Sequence, residues 1–165
     1  MAQRTTPLIS VLTAREQAMR EMLRLLDEER AAIIAFDTER LQQAVERKVR
    51  LAAEMEELDG TCRELLAREG AQRGIGGVVT LSPLIPKTPA SEQGELRNLK
   101  AQLTTLATEV RRMIDHNRAL LESSLSAVGR SLTFFQNRFK VAETYGHSGH
   151  MVERTANVTM LRREL

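Results

Sequence analysis

The sequence has few of the residues that build compact cores from rings or cross-links. Among 165 residues there is one cysteine, Cys62, there is no tryptophan, and aromatic residues make up 3%. A single cysteine excludes an internal disulfide and favours a reducing compartment. The length is that of one domain, yet a globular core of this size normally contains more large rings. The abundance of alanine, leucine, glutamate, arginine and glutamine instead predicts long helices and coiled coils.

The chain also lacks a long apolar run and a strong charge of one sign. No stretch is long and apolar enough to span a bilayer, so we expect a cytoplasmic protein without direct membrane insertion. The net charge is only +2, and no nucleic-acid partner is indicated. Between residues 96 and 150, however, there are eight basic and four acidic residues, a balance that favours an acidic partner.

Residues suited to catalysis or metal binding are scarce and scattered. His147 and His150 are three residues apart, but Gly146 and Gly149 argue against the helix on which they could share a metal. Cys62 falls at a core position of a predicted helix, where a small buried apolar residue is expected. We therefore expect no enzyme, no catalytic residues, no metal site and no cofactor.

Start and stop signals divide the chain into helices. Thr6 and Pro7 form a helix start, and Asp37 and Thr38 predict a kink or a short break. The stretch 70–88 is rich in glycine and proline, so we expect a disordered or loosely packed connector. The helices are predicted at about residues 7–36, 38–68 and 89–143.

Apolar residues recur in alternating steps of three and four along these helices, which is typical of coiled coils. The fold class is therefore all-α, either an elongated antiparallel coiled-coil hairpin or a three-helix bundle. In the second helix the predicted seam is Leu41, Val45, Lys48, Ala52, Met55, Asp59, Cys62 and Leu66. In the third helix it is Leu96, Leu99, Leu103, Leu106, Val110, Met113, Asn117, Leu120, Ser124, Ala127, Ser131 and Phe135.

The last helix carries a second apolar line beside this seam, made of Leu121, Leu125, Val128, Leu132, Phe134 and Phe139. A helix that is apolar on more than one side must bury more than one face, either within its own chain or against a partner. Both alternatives remain open from the residues alone. A partner helix would bind an adaptable apolar surface of this kind. The candidate residues are Met113, Leu120, Leu121, Leu125, Val128, Leu132, Phe135 and Phe139.

The regular pattern ends at TYGHSGH, Thr144 to His150. The two glycines forbid a stable helix, so we expect a single helical domain over residues 1–145 and a flexible tail over 146–165. Tyr145, the only tyrosine, would then be exposed. A ring with a polar tip and few rotatable bonds is a suitable anchor for a partner's pocket.

Several short motifs, taken in order, resemble the FlgN-type flagellar export chaperones. FDTERL is followed by Lys48 and by the Gly/Pro-rich connector, NRALLESSL resembles the family's Asn-x-x-Leu-Leu, and YGHSG resembles its Tyr-Gly-x-x-Gly. The resemblance implies a cytoplasmic chaperone that binds the C-terminal helices of hook-associated proteins. It would keep these clients unassembled and deliver them to the type III export gate.

The resemblance also assigns residues to these two tasks. Asn117, Leu120 and Leu121 fall in the client-binding half, whereas Tyr145, Gly146 and Gly149 fall in the segment that docks to the cytoplasmic domain of the export gate. It indicates no role for His147 and His150. The alternative is a generic coiled-coil structural or adaptor protein, which would self-associate stably without a client.

Overall fold

The computed structural model of the chain describes residues 6–77 and 79–144, which contain helices and no strand. This confirms the all-α prediction, while the predicted tail, 146–165, lies outside the described residues. The chain divides into two compact units, Met1–Leu121 and Glu122–Leu165. The helices are α1 (Thr6–Ala35), α2 (Thr38–Gln72), α3 (Leu81–Leu84), a 3-10 turn (Ile85–Lys87) and α4 (Ala90–Thr144).

A two-residue turn reverses the chain between α1 and α2. Phe36 takes a left-handed conformation with φ 53°, and its N–H and that of Asp37 donate to the carbonyls of Ile33 and Ala32 at 3.2 and 3.0 Å. This pair of hydrogen bonds is the Schellman motif, which normally uses glycine at the left-handed position. Asp37 then caps α2 by accepting from the N–H of Arg40 at 3.0 Å. The predicted kink is therefore a complete reversal.

Ion pairs show that α1 and α2 are antiparallel. Arg47 pairs with Glu28 at 2.6 Å, and Arg15, nearer the start of α1, pairs with Asp59 further along α2. Positions further along α1 therefore lie beside positions earlier along α2, as in an antiparallel pair. The side chains of these pairs are between a quarter and a half exposed. Each pair at the surface contributes about 1 kcal/mol or less, so the pairs indicate the register of the two helices and contribute little to stability.

Within the first unit, α4 lies parallel to α1. One buried cluster joins the start of α1, at Leu8 and Leu12, to the start of α4 and to Cys62 of α2. A second joins Met22, Leu25 and Leu26 of α1 to Leu51 of α2 and to Met113, further along α4. Of the two predicted arrangements, the first unit therefore forms the three-helix bundle, with up-down-up topology.

The phase of α2 differs partly from the predicted seam. Leu51 and Ala44 are buried, whereas the neighbouring Ala52 and Val45, predicted to be at the seam, are exposed. Two adjacent stripes compete on this helix, and the one containing the larger Leu51 removes more apolar area from water. With Leu51 facing inward, a step of seven residues also takes Ala44 inward.

The connector is packed, contrary to the prediction that it is disordered or loose. Helix α2 continues to Gln72, and Leu84 and Ile85, in α3 and the 3-10 turn, are buried in the first cluster. Gly70 lies against Val79, whose methyl groups occupy the space that a Cβ on Gly70 would need. The apolar residues spaced between the glycines and prolines thus close the end of the bundle.

Two residues clamp the connector at its ends. The Arg73 guanidinium donates to the carbonyl of Lys87 at 3.1 Å, and the Lys87 ammonium donates to the carbonyl of Arg73 at 3.3 Å. Arg73 also pairs with the buried Glu69, one turn earlier on α2. These bonds satisfy carbonyls at the end of α2 and in the 3-10 turn that the helices leave without partners.

Candidate functional site

In the first unit, α4 presents a seam of large apolar residues to α1 and α2, as predicted. The buried part of the seam ends in a polar layer at Asn117, and the next member, Leu120, is half-buried. The members are Leu96, Leu99, Leu103, Leu106, Met113 and Asn117, which are buried, and Val110 and Leu120, which are half-buried. Met113 and Asn117, predicted to contact a client, therefore lie inside the bundle.

Asn117 forms this polar layer with both other long helices. Its Nδ2 donates to the carbonyl of Leu26 at 2.8 Å and to Oε2 of Glu29 at 2.9 Å. Lys48 of α2 pairs with the other oxygen of Glu29. The Oδ1 of Asn117 is buried without a hydrogen-bond partner, which costs free energy. A polar residue at a core position favours one register over others, and this layer ties α1, α2 and α4 together.

In the second unit, the described part of α4 keeps large apolar residues on its surface. Leu125 is 63% exposed and Phe139 is 70% exposed. The spacing is again three and four, as in a coiled-coil seam that has no partner. We call this set the apolar face, and its members are Leu125, Val128, Leu132, Phe135 and Phe139.

Aromatic rings concentrate at the C-terminal end of the apolar face. Phe134 lies beside the face, and its ring meets that of Phe135 edge-on, with centroids 5.8 Å apart at an angle of 73°. The Cζ of Arg138 is 5.7 Å from the Phe134 centroid, a cation–π distance. These contacts hold the rings in place while leaving both of them more than half exposed.

The charged residues near the apolar face are of both signs, because Glu122 lies three residues before Leu125 and Glu143 four residues after Phe139. From Ser123 to Ala142 the chain contains Arg130, Arg138 and Lys140 and no carboxylate. The only resolved pKa shifts among the described residues belong to Glu109 and Arg112, in the first unit. There the hydrogen bond from Arg112 lowers the pKa of Glu109, but this pair lies on the surface and belongs to no site.

The remaining predicted site residues have different positions. Leu120 is half-buried and Leu121, the last residue of the first unit, is 36% exposed. Tyr145, Gly146 and Gly149, and with them His147 and His150, lie outside the described residues. The structure thus brings five of the predicted client-binding residues together on one exposed face, namely Leu125, Val128, Leu132, Phe135 and Phe139.

Sequence reasoning missed an open groove between the connector and α4. It encloses about 540 Å³ and is lined by Ser82, Ile85, Pro86, Arg97, Lys100, Ala101 and Thr104. Ile85 and Pro86 come from the connector, whose packing was not predicted. In the described part of the chain, no helix combines the length and the apolar character that crossing a bilayer requires.

Comparison with known proteins gives one match that covers most of the chain. A family model described as FlgN protein matches residues 1–153. No curated protein and no solved structure matches the chain. The matched segment includes the seam and the apolar face of α4 and also Tyr145 with Gly146 after it.

Proposed function

Because the chain belongs to the FlgN family of flagellar export chaperones, we propose that it binds the C-terminal helices of hook-associated proteins. It acts in the cytoplasm, keeps these clients unassembled and delivers them to the export gate. The observation that carries the proposal is the apolar face, five large side chains at coiled-coil spacing that the described chain leaves exposed. Such a face is suited to an amphipathic helix rather than to a small molecule.

The energetics suit a chaperone that must also release its client. Full burial contributes about 1.5–3 kcal/mol for each large apolar side chain, and these five are already partly covered. Lost translational and rotational freedom and the ordering of side chains remove about 4–15 kcal/mol of that gain. The gain and the cost are of similar size, which is compatible with a complex that also releases its client.

The second half of the proposal concerns delivery. Tyr145, with Gly146 and Gly149, docks the loaded chaperone to the cytoplasmic domain of the export gate. This assignment rests on the motif YGHSG and on family membership. It separates the two tasks along the chain, with the client on the apolar face and the gate on the segment that follows α4.

The proposal is tested by calorimetry with C-terminal fragments of hook-associated proteins. Leu125→Asp should weaken client binding at least tenfold, because a carboxylate buried at the interface without a partner is costly. The matched control is Val49→Asp on α2, since Val49 is 62% exposed and lies in the first unit. It should leave client affinity unchanged.

Two results would contradict the proposal. Retained client affinity in Leu125→Asp would remove the apolar face from the binding site. Stable self-association of the wild-type chain without a client, measured by sedimentation and abolished by Leu125→Asp, would support the structural or adaptor alternative. Circular dichroism checks that the variant keeps its helices.

A further inference from the structure

The open groove between the connector and α4 has a simple structural cause. Leu84 and Ile85 anchor the connector in the first buried cluster, while the next residue, Pro86, stays exposed. On the α4 side the groove is lined by Ala101 and Thr104, whose side chains are too short to fill it. A site for a small molecule normally buries most of its ligand. This groove is open to solvent, and its shape is better suited to a segment of a polypeptide chain.

The charged residues that line the groove are both basic. Arg97 and Lys100 lie one turn apart on α4, and both are exposed. Arg97 donates a hydrogen bond to Oε1 of Gln93 at 3.0 Å, but within the described residues neither cation forms an ion pair. Two positive charges that the chain does not neutralise, next to apolar surface, are suited to a ligand that is both acidic and apolar.

The carboxylates closest in sequence do not face the groove. From Gly70 to Ser91 the chain contains no aspartate or glutamate. On α4 the nearest carboxylates are Glu92, Glu95 and Glu109. At 100° per residue, they point about 130° or more away from the centre of the residues that line the groove. This stretch of α4 therefore presents only cations to the connector.

The other two long helices do not neutralise this end of the bundle either. Residues 1–15 contain no carboxylate, and the first one in α1, Glu16, pairs with an arginine one turn later. Glu69, near the end of α2, pairs with Arg73. Glu64 is exposed and lies about 200° around α2 from the buried Cys62, on the face turned away from the bundle.

We propose that the groove binds an extended acidic segment of another protein, with two carboxylates on either side of an apolar residue. Alternate side chains of an extended segment point in opposite directions. The two carboxylates therefore reach Arg97 and Lys100 on α4, while the apolar side chain between them contacts Pro86 of the connector. The site is built from residues of the first unit alone and goes beyond the proposed function, which uses none of them.

The chemistry of the groove favours a peptide over other anionic partners. Segments that bind acidic membrane surfaces normally carry four to eight clustered cations, and the groove has two. Sites for single-stranded nucleic acid combine cations with aromatic rings on which bases stack, and the lining contains no aromatic residue. Two exposed ion pairs and one apolar contact give a weak and reversible interaction.

Three labelled peptides test the proposal by fluorescence anisotropy with the full-length chain. Each has nine residues, Gly and Ser around a central Glu-Leu-Glu, Gln-Leu-Gln or Glu-Ser-Glu. In about 0.1 M salt, the Gln-Leu-Gln peptide should bind about tenfold more weakly than Glu-Leu-Glu, because it lacks both ion pairs. The Glu-Ser-Glu peptide should bind about fivefold more weakly, because it lacks the apolar contact.

Variants of the chain locate the binding site. Arg97→Gln combined with Lys100→Gln should weaken binding of the Glu-Leu-Glu peptide about tenfold and leave the Gln-Leu-Gln peptide unaffected. Ala101→Gln fills the groove and should weaken binding of both. The matched control, Arg50→Gln combined with Arg111→Gln, removes the same charge at exposed positions outside the groove and should have no effect. Glutamine is a good helix former, and circular dichroism checks that each variant keeps its helices.

Several results would overturn the inference. One is equal binding of the Glu-Leu-Glu and Gln-Leu-Gln peptides, and another is an equal loss of affinity in the control variant. If four-residue oligothymidylate binds as tightly as the Glu-Leu-Glu peptide, the groove attracts any polyanion. If the wild-type chain dimerises and the variant at 97 and 100 does not, the occupant is a second copy.

The same variant separates this inference from the proposed function. Changing residues 97 and 100 should leave the affinity for hook-associated fragments unchanged. If that affinity falls as well, the groove belongs to the client site and the inference of a separate partner is wrong. If the wild-type chain binds the Glu-Leu-Glu peptide selectively but binds no hook-associated fragment, the groove assignment stands and the proposed client is wrong.

Discussion

The seam of α4 in the first unit and the apolar face in the second have the same spacing, but the first is buried and the second is exposed. The first seam consists mainly of leucines, which are buried against α1 and α2. The apolar face has the same steps of three and four, yet its side chains are exposed. Periodicity therefore predicts that a helix face will be buried, but it does not reveal whether the chain itself or a partner buries it.

The two seams also differ in phase and chemistry. Continued from Leu120 in steps of four and three, the first would pass through Ser124, Ala127 and Ser131, which are small or polar. The apolar residues resume one position later, at Leu125, and become aromatic towards Phe139. The interruption lies just after the polar layer around Asn117. The apolar face therefore differs from the buried seam in both phase and residue type.

The largest difference between the two seams should appear in stability. Leu96→Ala removes a fully buried side chain and should lower the free energy of unfolding by about 2–5 kcal/mol. Leu132→Ala on the apolar face should change it by less than about 0.5 kcal/mol. Urea unfolding of both variants measures this. A similar loss in Leu132→Ala would show that the chain buries its own apolar face.

The next prediction concerns Tyr145, whose substitution should affect neither the packing of the buried seam nor binding at the apolar face. Tyr145→Ala should leave thermal stability and client affinity nearly unchanged. Its affinity for the isolated gate domain should fall roughly thirtyfold, because removing an aromatic anchor typically costs ~2 kcal/mol or more. Calorimetry with the chaperone–client complex measures this loss. A large drop in melting temperature would instead make Tyr145 a structural residue.

The polar layer should be worth less than a leucine layer. Asn117→Ala removes the donor to Glu29 and Leu26 and should destabilise the bundle by about 1–3 kcal/mol. Ser124→Ala, at a half-buried position of the same helix, is the comparison and should have a smaller effect. If Asn117→Ala instead raised stability, the unpartnered Oδ1 would outweigh the two hydrogen bonds that Asn117 donates.

The smallest expected effect compares a glycine in a helix of the bundle with a glycine in the exposed part of α4. A Cβ would meet nothing within 4 Å at Gly60 in α2 or at Gly129 in the second unit. Replacing either glycine by alanine favours the helix by about 0.5–1 kcal/mol. Gly60→Ala should raise the melting temperature of the bundle, whereas Gly129→Ala should only slow amide hydrogen exchange around residue 129. An equal rise in melting temperature would mean that both segments unfold together.

Local patterns predicted the helices well, because their signals lie close together in the sequence. The leucines from 96 to 106 could face only inward, and Asp37 marked the start of α2. The turn at Phe36 was underestimated, since a left-handed phenylalanine has no local signature. The buried role of Asn117 was missed for a different reason. Its partner Glu29 is 88 residues away, and no local pattern reports a contact at that separation.

The packing of the connector could not be predicted from local sequence patterns either. Its glycines and prolines correctly excluded a long helix, but they concealed the few residues, Leu84 and Ile85 among them, that enter the core. Among the predicted client-binding residues, those of the apolar face lie together on the surface because no described helix covers them. Met113 and Asn117 were grouped with them only because they share a helix.

The up-down-up order of the bundle has a consequence for the way the protein is made. Contacts between α1 and α2 close around the two-residue turn at Phe36, so they form after a short search. The contact between Leu26 and Asn117 joins residues 91 apart, and such non-local contacts form slowly. On the ribosome, α1 and α2 emerge well before residue 117. We expect the apolar residues of α1 and α2 that pack against α4 to stay exposed until α4 has been synthesised. The nascent chain is therefore itself prone to aggregation during this interval.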